Sequence, residues 1–221
     1  MSEAAPTIPS TTAVPYRQIR ALYDEETITV YQAYSPAIAI AAVAAQRLDA
    51  SPDFRPGRMT WVKPSWAWIM YRAGYSYKDA RQARILALRM KHADFLALLQ
   101  RGVLSHGGAG ADANAGPARD RAAEVRVQWD PERDPALRRL PYRSIQIGIP
   151  GTLSTLWARE WIVSIEDVTE TARSLKRALD EDPDLSLQVL VERGLVPQER
   201  PFQVPDTIMT RLDMTRPGQI P

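Results

Sequence analysis

Residues 58–75 read Arg-Met-Thr-Trp-Val-Lys-Pro-Ser-Trp-Ala-Trp-Ile-Met-Tyr-Arg-Ala-Gly-Tyr. Three tryptophans stand in this stretch beside three cationic residues: Trp61, Trp66, Trp68, Arg58, Lys63 and Arg72. A core segment would carry the rings without the cations, and a solvated face would carry the cations without the tryptophans. The mixture predicts a concave surface at which rings stack against a flat group and cations bind phosphate. A competing interpretation buries the tryptophans in the core and extends the basic heads into solvent.

The order of residues in this stretch also predicts its local structure. Residues 59–62 favour a short strand. Ser65 is a suitable N-cap for a helix, and Gly74 is a usual residue just after a helix ends. We therefore predict a helix over 66–73. On such a helix Trp66 and Trp68 point in well-separated directions, so at most two of the three tryptophans can line one pocket.

Outward from this stretch, β-branched and alternating runs predict further strands, and Ala- and Leu-rich runs predict helices. The predicted strands are 27–34, 59–62, 83–90, 124–129, 144–149 and 161–165, and the predicted helices are 37–48, 66–73, 94–100, 153–160, 171–179 and 185–193. The helix over 37–48 is apolar on nearly every side, which predicts burial. The sequence thus indicates an α+β fold: a mixed, largely antiparallel sheet of about five or six strands with inserted helices.

Composition at the two ends and in one internal segment indicates the domain organisation. We expect residues 1–15 to be a flexible leader, residues 16–196 to form a single α+β domain, and residues 197–221 to be a Pro-rich tail. Within the domain, the Gly-rich stretch 105–119 predicts a flexible loop. With 221 residues and 45% hydrophobic content, the chain can bury one substantial core.

Several classes of site are excluded or made improbable by composition. The chain has no cysteine, which excludes disulfides and thiolate chemistry and fits a cytoplasmic location. Its two histidines, His92 and His106, are too few for a His-rich metal centre, so no metal is expected. No apolar run is long enough to span a membrane. The net charge is only +2, yet 24 of the 28 basic residues are arginine, which suits phosphate and carboxylate recognition.

Four separated segments of the sequence resemble one known family. The segments are 17–24 with Arg17, Arg20, Tyr23 and Asp24, 30–34 (Val-Tyr-Gln-Ala-Tyr), 58–74 around Met-Thr-Trp-Val-Lys-Pro-Ser, and 145–148 (Ile-Gln-Ile-Gly). They resemble the family called domain of unknown function 4291 over about residues 16–169. That resemblance implies no particular activity.

The order of predicted elements is also similar to that of the ADP-ribosyltransferase superfamily. This second resemblance implies an ADP-ribosyltransferase-like fold, NAD as the cofactor, and transfer of ADP-ribose or a related glycosyl group. The first motif of that superfamily would fall on Gln32, where Arg or His is usual, and the second on the stretch from Thr60 to Ser65. The late strand carries Gln146 and lacks the usual glutamate, whose negative charge supports the positive charge that develops on the sugar.

The resulting hypothesis is a nucleotide-binding enzyme with an acceptor that is a nucleic acid or a protein. Its predicted catalytic residues are Gln32, Lys63 and Gln146, and its predicted cofactor-binding residues are Arg17, Arg20, Tyr31, Trp61, Ser65 and Arg72. The alternative is a non-catalytic domain that binds single-stranded nucleic acid, with the same rings stacked on unpaired bases.

Overall fold

The computed structural model describes residues 14–105 and 124–216, which form an α+β fold. The described strands are β1 (Arg20–Ala21), β2 (Thr27–Tyr34), β3 (Thr60–Val62), β4 (Arg84–Lys91), β5 (Gly102–Leu104), β6 (Val125–Arg133), β7 (Arg139–Ile149), β8 (Ile162–Asp167) and β9 (Arg200–Pro201). The described α-helices are α1 (Pro36–Ala45), α2 (Trp66–Ala73), α3 (His92–Gln100), α4 (Gly151–Leu156), α5 (Thr169–Glu181), α6 (Leu187–Glu192) and α7 (Asp206–Arg211). A π-helical turn, Trp157–Trp161, follows α4.

The strands form three sheets that are mostly antiparallel. Their orders are β2-β4-β8, β3-β7-β6-β5 and the two-stranded β1-β9, and only the β5–β6 pair is parallel among the described strands. The predicted α+β class and largely antiparallel pairing are confirmed. All six predicted strands are present, and the three additional ones (β1, β5 and β9) have only two or three residues, too few to show an alternating pattern.

The two larger sheets meet where β3 runs beside β2. Tyr31 N donates to Lys63 O at 2.7 Å, and Lys63 N donates to Tyr31 O at 3.4 Å. Gln32 strengthens the junction, because its Nε2 donates to Thr60 Oγ1 at 2.6 Å and to Trp61 O at 2.8 Å. This junction joins the start of the segment 58–75 to the sheet β2-β4-β8.

Each of the two faces of this strand surface packs against its own hydrophobic cluster. The larger cluster holds the inward residues of both large sheets, including Val30, Leu88 and Ile147, with Trp157 and Phe95. The second cluster lies under α2 and α5 and includes Ile69 and Met70 of α2. Helix α2 is therefore held on the side of the strands opposite the larger core.

Helix α1 differs from the sequence prediction. Only Ala39 and Ala42 are buried, while Ile40 is 58% exposed, and the helix ends at Ala45 rather than at residue 48. When a helix is apolar on all sides, its sequence does not indicate which side is buried, and in this structure only one side packs against the rest of the protein. The expectation of a buried helix over 37–48 was wrong for this reason.

Strand β6 extends further than its sequence pattern indicates. The predicted strand ends at residue 129, before Asp130 and Pro131, yet the observed strand continues to Arg133 with a register shift between Pro131 and Arg133. Proline lacks an amide hydrogen, and a bulge is one of the places where a strand tolerates that loss. The extension brings Glu132 into the sheet.

The segment after residue 196 is packed rather than peripheral over its described part. Strand β9 pairs with β1, and Phe202, Ile208 and Leu212 are buried in the larger core. Two of its prolines lie where proline is tolerated, Pro201 in the two-residue β9 and Pro205 just before α7. Of the predicted leader 1–15 and the predicted loop 105–119, all but residues 14, 15 and 105 lie outside the described residues, as do residues 217–221.

None of the helices among the described residues has the length and apolar character needed to cross a membrane.

Candidate functional site around Lys63 and the start of helix α2

Helix α2 begins and ends where local sequence signals place it. Ser65 Oγ accepts a hydrogen bond from Trp68 N at 3.1 Å, which caps the helix. Gly74 ends it in the left-handed region, at φ 56°. Because Lys63 lies just before this cap, its position relative to the helix is fixed by the backbone on both sides.

Trp61, Gln146 and Gly148 share one face of the sheet. Trp61 pairs with Gly148 across β3 and β7, and the flanking pair of Val62 and Ile147 points into the larger core. A Cβ at Gly148 would lie 2.9 Å from two atoms of the Trp61 ring, so the ring lies directly over the glycine. The face opposite the core therefore carries an indole beside Gln146.

Lys63 lies on the same face, with its charge largely removed from water. The residue is 4% exposed, and its Nζ lies 5.7 Å from the centroid of the Trp68 ring. Burial and the nearby charge of Arg72 lower the pKa of Lys63 to about 8, against the opposing charge of Asp130. Lys63 Nζ makes no hydrogen bond to any residue that the structure describes, so its N–H donors are unused within that part of the chain.

A ladder of rings and cations continues from Lys63 along the outside of α2. Trp68 and Tyr71 stack with centroids 5.0 Å apart and an interplanar angle of 17°. The guanidinium of Arg133 lies 3.5 Å from the centroid of the Tyr71 ring, and Tyr71 is 38% exposed. Such a surface can stack a planar base and bind its phosphate.

Two carboxylates meet at the N-terminus of α2. Glu132 is 5% exposed and accepts from Ser65 Oγ at 2.9 Å, and burial raises its pKa. Glu199 accepts from Trp66 N at 2.6 Å, and burial together with the charge of Glu132 raises its pKa to about 8. Neighbouring carboxyl groups with raised pKa values are typical of general acid–base chemistry.

The structure brings some of the predicted site residues together. Lys63, Ser65 and Trp61 lie around the start of α2, and the charge of the exposed Arg72 reaches Lys63. Gln146 lies on their face and donates from Nε2 to Gln128 Oε1 at 2.8 Å. These five residues form the part of the predicted site that converges.

Gln32 projects to the other face of the sheet. It lies between Tyr31 and Ala33, and its partner across β2 and β4 is the core residue Leu86. Its Nε2 is used by the junction with β3, and its Oε1 accepts from Tyr34 OH at 2.6 Å. Gln32 therefore joins β2 to β3 and does not share a face with Lys63.

Arg17 and Arg20, both predicted to bind the cofactor, contact different parts of the protein. Arg17 forms an ion pair with Asp213. Arg20 donates to Glu199 O at 3.2 Å, and its charge lowers the pKa of Glu132 and Glu199 against the effect of burial. Arg20 therefore belongs to the carboxylate group, whereas Arg17 is held by the C-terminal segment.

Tyr31 lies on the same face as Lys63, because directly opposed residues of neighbouring antiparallel strands project together. Its ring meets Trp66 edge to face at 5.3 Å, and the residue is 2% exposed. Both rings line a cavity that includes neither Lys63 nor Trp68.

Comparison with family models gives a match from residue 18 to residue 202, which runs from just before β1 to just after β9 and includes the loop that carries Glu199. The chain belongs to the family described as domain of unknown function DUF4291. No curated protein matches it. The DUF4291 match includes every site residue named above except Arg17 and its partner Asp213.

Sequence reasoning missed three acidic residues of this DUF4291 site: Asp130, Glu132 and Glu199. The first two lie at and beyond the Asp-Pro pair that was expected to end β6, and the third lies in the stretch expected to be a tail. Continued alternation of polar residues at 128, 130 and 132 was the signal that could have found the first two. Among the described residues, no three His, Asp or Glu side chains are grouped to hold a metal ion.

Proposed function

We propose that this protein is a nucleotide-binding enzyme that transfers ADP-ribose, or a related glycosyl group, from NAD to an acceptor. The observation that carries the proposal is the buried Glu132, which is bound to Ser65 on the same side of the sheet as Lys63 and Gln146. Ribosyl transfer requires an anion near the sugar, where positive charge develops in the transition state. Strand β7 has Gln146 and no glutamate there, and the neighbouring strand β6 supplies Glu132.

The roles follow from the position of each group. Trp68 and Tyr71 stack a ring of the nucleotide, and Lys63 with Arg72 binds its phosphates. Gln146 hydrogen-bonds the sugar. The glycosidic bond to nicotinamide breaks and nicotinamide leaves with the bonding electron pair. The acceptor forms the new bond to the sugar carbon, and its proton passes to Glu132.

The proposal is tested by calorimetry with NAD. Because the side chain of Lys63 contributes a cation and no hydrogen bond to the described residues, Lys63→Met should fold normally and bind NAD about tenfold more weakly, a loss of about 1.4 kcal/mol. Lys91→Met is the matched control, since Lys91 is an exposed lysine at the end of β4, and its affinity should equal that of the wild type. Wild-type protein that does not bind NAD would contradict the proposal.

Chemistry is separated from binding by a second variant. Glu132→Gln keeps a hydrogen-bond acceptor for Ser65 and removes the negative charge. We expect it to bind NAD like the wild type and to release nicotinamide at least 100-fold more slowly with water as the acceptor, a range typical for loss of such a group. Equal rates of nicotinamide release in the variant and the wild type would show that Glu132 does not take part in the reaction as proposed.

The ladder of Trp68, Tyr71 and Arg133, in which Tyr71 is exposed and the other two are half-buried, also supports a second candidate function, the binding of single-stranded nucleic acid. In that case affinity for RNA or single-stranded DNA falls with salt, and Arg133→Met reduces the slope of log K against log salt by about 0.7, the value for one phosphate contact. Arg17→Met serves as the control because Arg17 is already paired with Asp213. Binding that does not change with salt excludes this function.

We also propose a cytoplasmic location, which accords with a cysteine-free chain and with NAD as the ligand.

A further inference from the structure

A cavity of about 610 Å³ lies beside the α2 start, on the face of β2-β4-β8 that carries Tyr31. Its floor includes Thr29, Tyr31 and Ala87, and its walls include Trp66 and Val196. The volume is within the range of small-molecule sites. Because Lys63, Trp68 and Glu132 are not among its lining residues, the cavity is distinct from the site proposed for the nucleotide.

The charged groups of this cavity are mainly acidic. Asp24, Glu166 and Arg89 line it. Arg89 is already bound, since it forms an ion pair with Asp24 and donates to Thr27 Oγ1 at 2.9 Å. Glu166 is exposed and makes no hydrogen bond or ion pair with the residues that the structure describes. Glu166 is therefore the charge in the cavity that lacks a partner there.

The acidic character continues into an adjoining cavity of about 550 Å³. The two cavities share Asp24, Thr27, Arg89 and Ser164, and the second adds Glu25 and Glu26 without a further cation. The connected surface of the two cavities therefore carries four carboxylates and one guanidinium, although the net charge of the whole protein is +2. The resulting negative potential concentrates cations and repels anions.

The remaining walls are apolar and aromatic. Leu22, Val191 and Val196 supply aliphatic surface. Tyr31 and Trp66, whose ring centroids are 5.3 Å apart, also line the cavity, although each is only 2% exposed. Glu166 lies close enough for its charge to contribute, after burial and Glu199, to the raised pKa of Tyr31. The unpaired carboxylate and the rings thus border one space.

We propose that this cavity binds a small organic cation, a primary amine or guanidinium compound with an apolar body. The cationic head pairs with the Glu166 carboxylate, and the body packs against Tyr31, Trp66 and Val196. Size, sign of charge and wall chemistry all select such a ligand over an anionic nucleotide. The inference is independent of the proposed function, because it uses none of the groups assigned to NAD.

Three probes that share a 4-phenylbutyl body and differ in the head group test the inference: 4-phenylbutylamine, 4-phenylbutanol and 5-phenylpentanoate. In calorimetric titrations of the full chain, we expect the amine to bind at least about tenfold more tightly than the alcohol, and the carboxylate to bind most weakly. Glu166→Gln should weaken amine binding about tenfold and leave alcohol binding unchanged. Glu181→Gln, at the exposed end of α5, is the matched control and should change neither.

Two results would overturn the proposal. The first is equal affinity for all three probes, or no binding of any, because then charge does not select the ligand. The second is an equal loss of amine and alcohol affinity in Glu166→Gln, which would indicate a disturbed cavity rather than a lost ion pair. Lys63→Met should bind the amine like the wild type, so failure of the NAD proposal and failure of this one are distinguishable.

Discussion

Replacement of Glu199 by glutamine is expected to make the protein more stable than the wild type at pH 8, by at least about 1 kcal/mol. Glu199 has a pKa of about 8 in the folded protein against an ordinary value of 4.5, because it is buried and lies near Glu132. Between these values the folded protein holds a proton that the unfolded chain releases. The stabilising contribution of Glu199 is therefore full below about pH 4.5 and is lost as the pH rises to about 8.

Glutamine keeps the oxygen that accepts from Trp66 N and has no proton to lose. The difference in free energy of unfolding between Glu199→Gln and the wild type should therefore grow from pH 5 to pH 8, as measured by urea denaturation at each pH. Glu192→Gln, at an exposed glutamate of α6, is the matched control for the loss of a surface carboxylate. A constant difference for Glu199→Gln would mean that its carboxyl group titrates normally.

Replacement of Gly151 by alanine is expected to destabilise the protein by about 3 kcal/mol, at the upper end of overpacking effects. A Cβ at Gly151 would overlap the carbonyl oxygen of Gly57 and would lie 2.7 Å from its carbonyl carbon. Both atoms belong to the backbone, so no side-chain rotation relieves the overlap. The contact fixes the loop before β3, and hence Lys63, against the start of α4.

Helix propensity alone predicts the opposite sign, since alanine favours a helix over glycine by about 1 kcal/mol. Thermal and urea denaturation therefore distinguish the close contact from propensity. The matched control is Thr152→Ala, at the next position of α4, where the side chain is exposed and the change should be within about 0.5 kcal/mol. A stabilised Gly151→Ala protein would show that the loop at Gly57 is free to move.

Prediction from sequence succeeded where an element's own residues carry a pattern that is long enough to recognise. The eight-residue β2 shows its β-branched and aromatic pattern within its own length, and α2 carries both a cap and a stop. The prediction failed where an element depended on distant residues. Strand β9 has two residues and exists because β1 lies beside it, and α1 packs by only one of its apolar sides.

The features of the candidate site also divide into those that the sequence predicted and those that it did not. The combination of cations and aromatic rings was visible in the sequence of residues 58–75. The sequence did not show that the side chain of Gln32 projects from the opposite face of the sheet, where it is hydrogen-bonded to β3. Lys63 and Gln146 share a face because β3 and β7 pair in one register. Register is a property of two strands, and neither strand alone contains it.

The sequence by itself determined the turn from β3 into α2, with Lys63, Ser65 and Gly74 in fixed positions, because capping and chain stiffness act over a few residues. Only the tertiary structure brought Glu132 to Ser65, 67 residues away, and Glu199 to Trp66, 133 residues away. Such contacts form when the burial of both sheets and of the C-terminal segment repays the entropy of closing long loops. For that reason the carboxylates of the site were decided by packing and not by any local pattern.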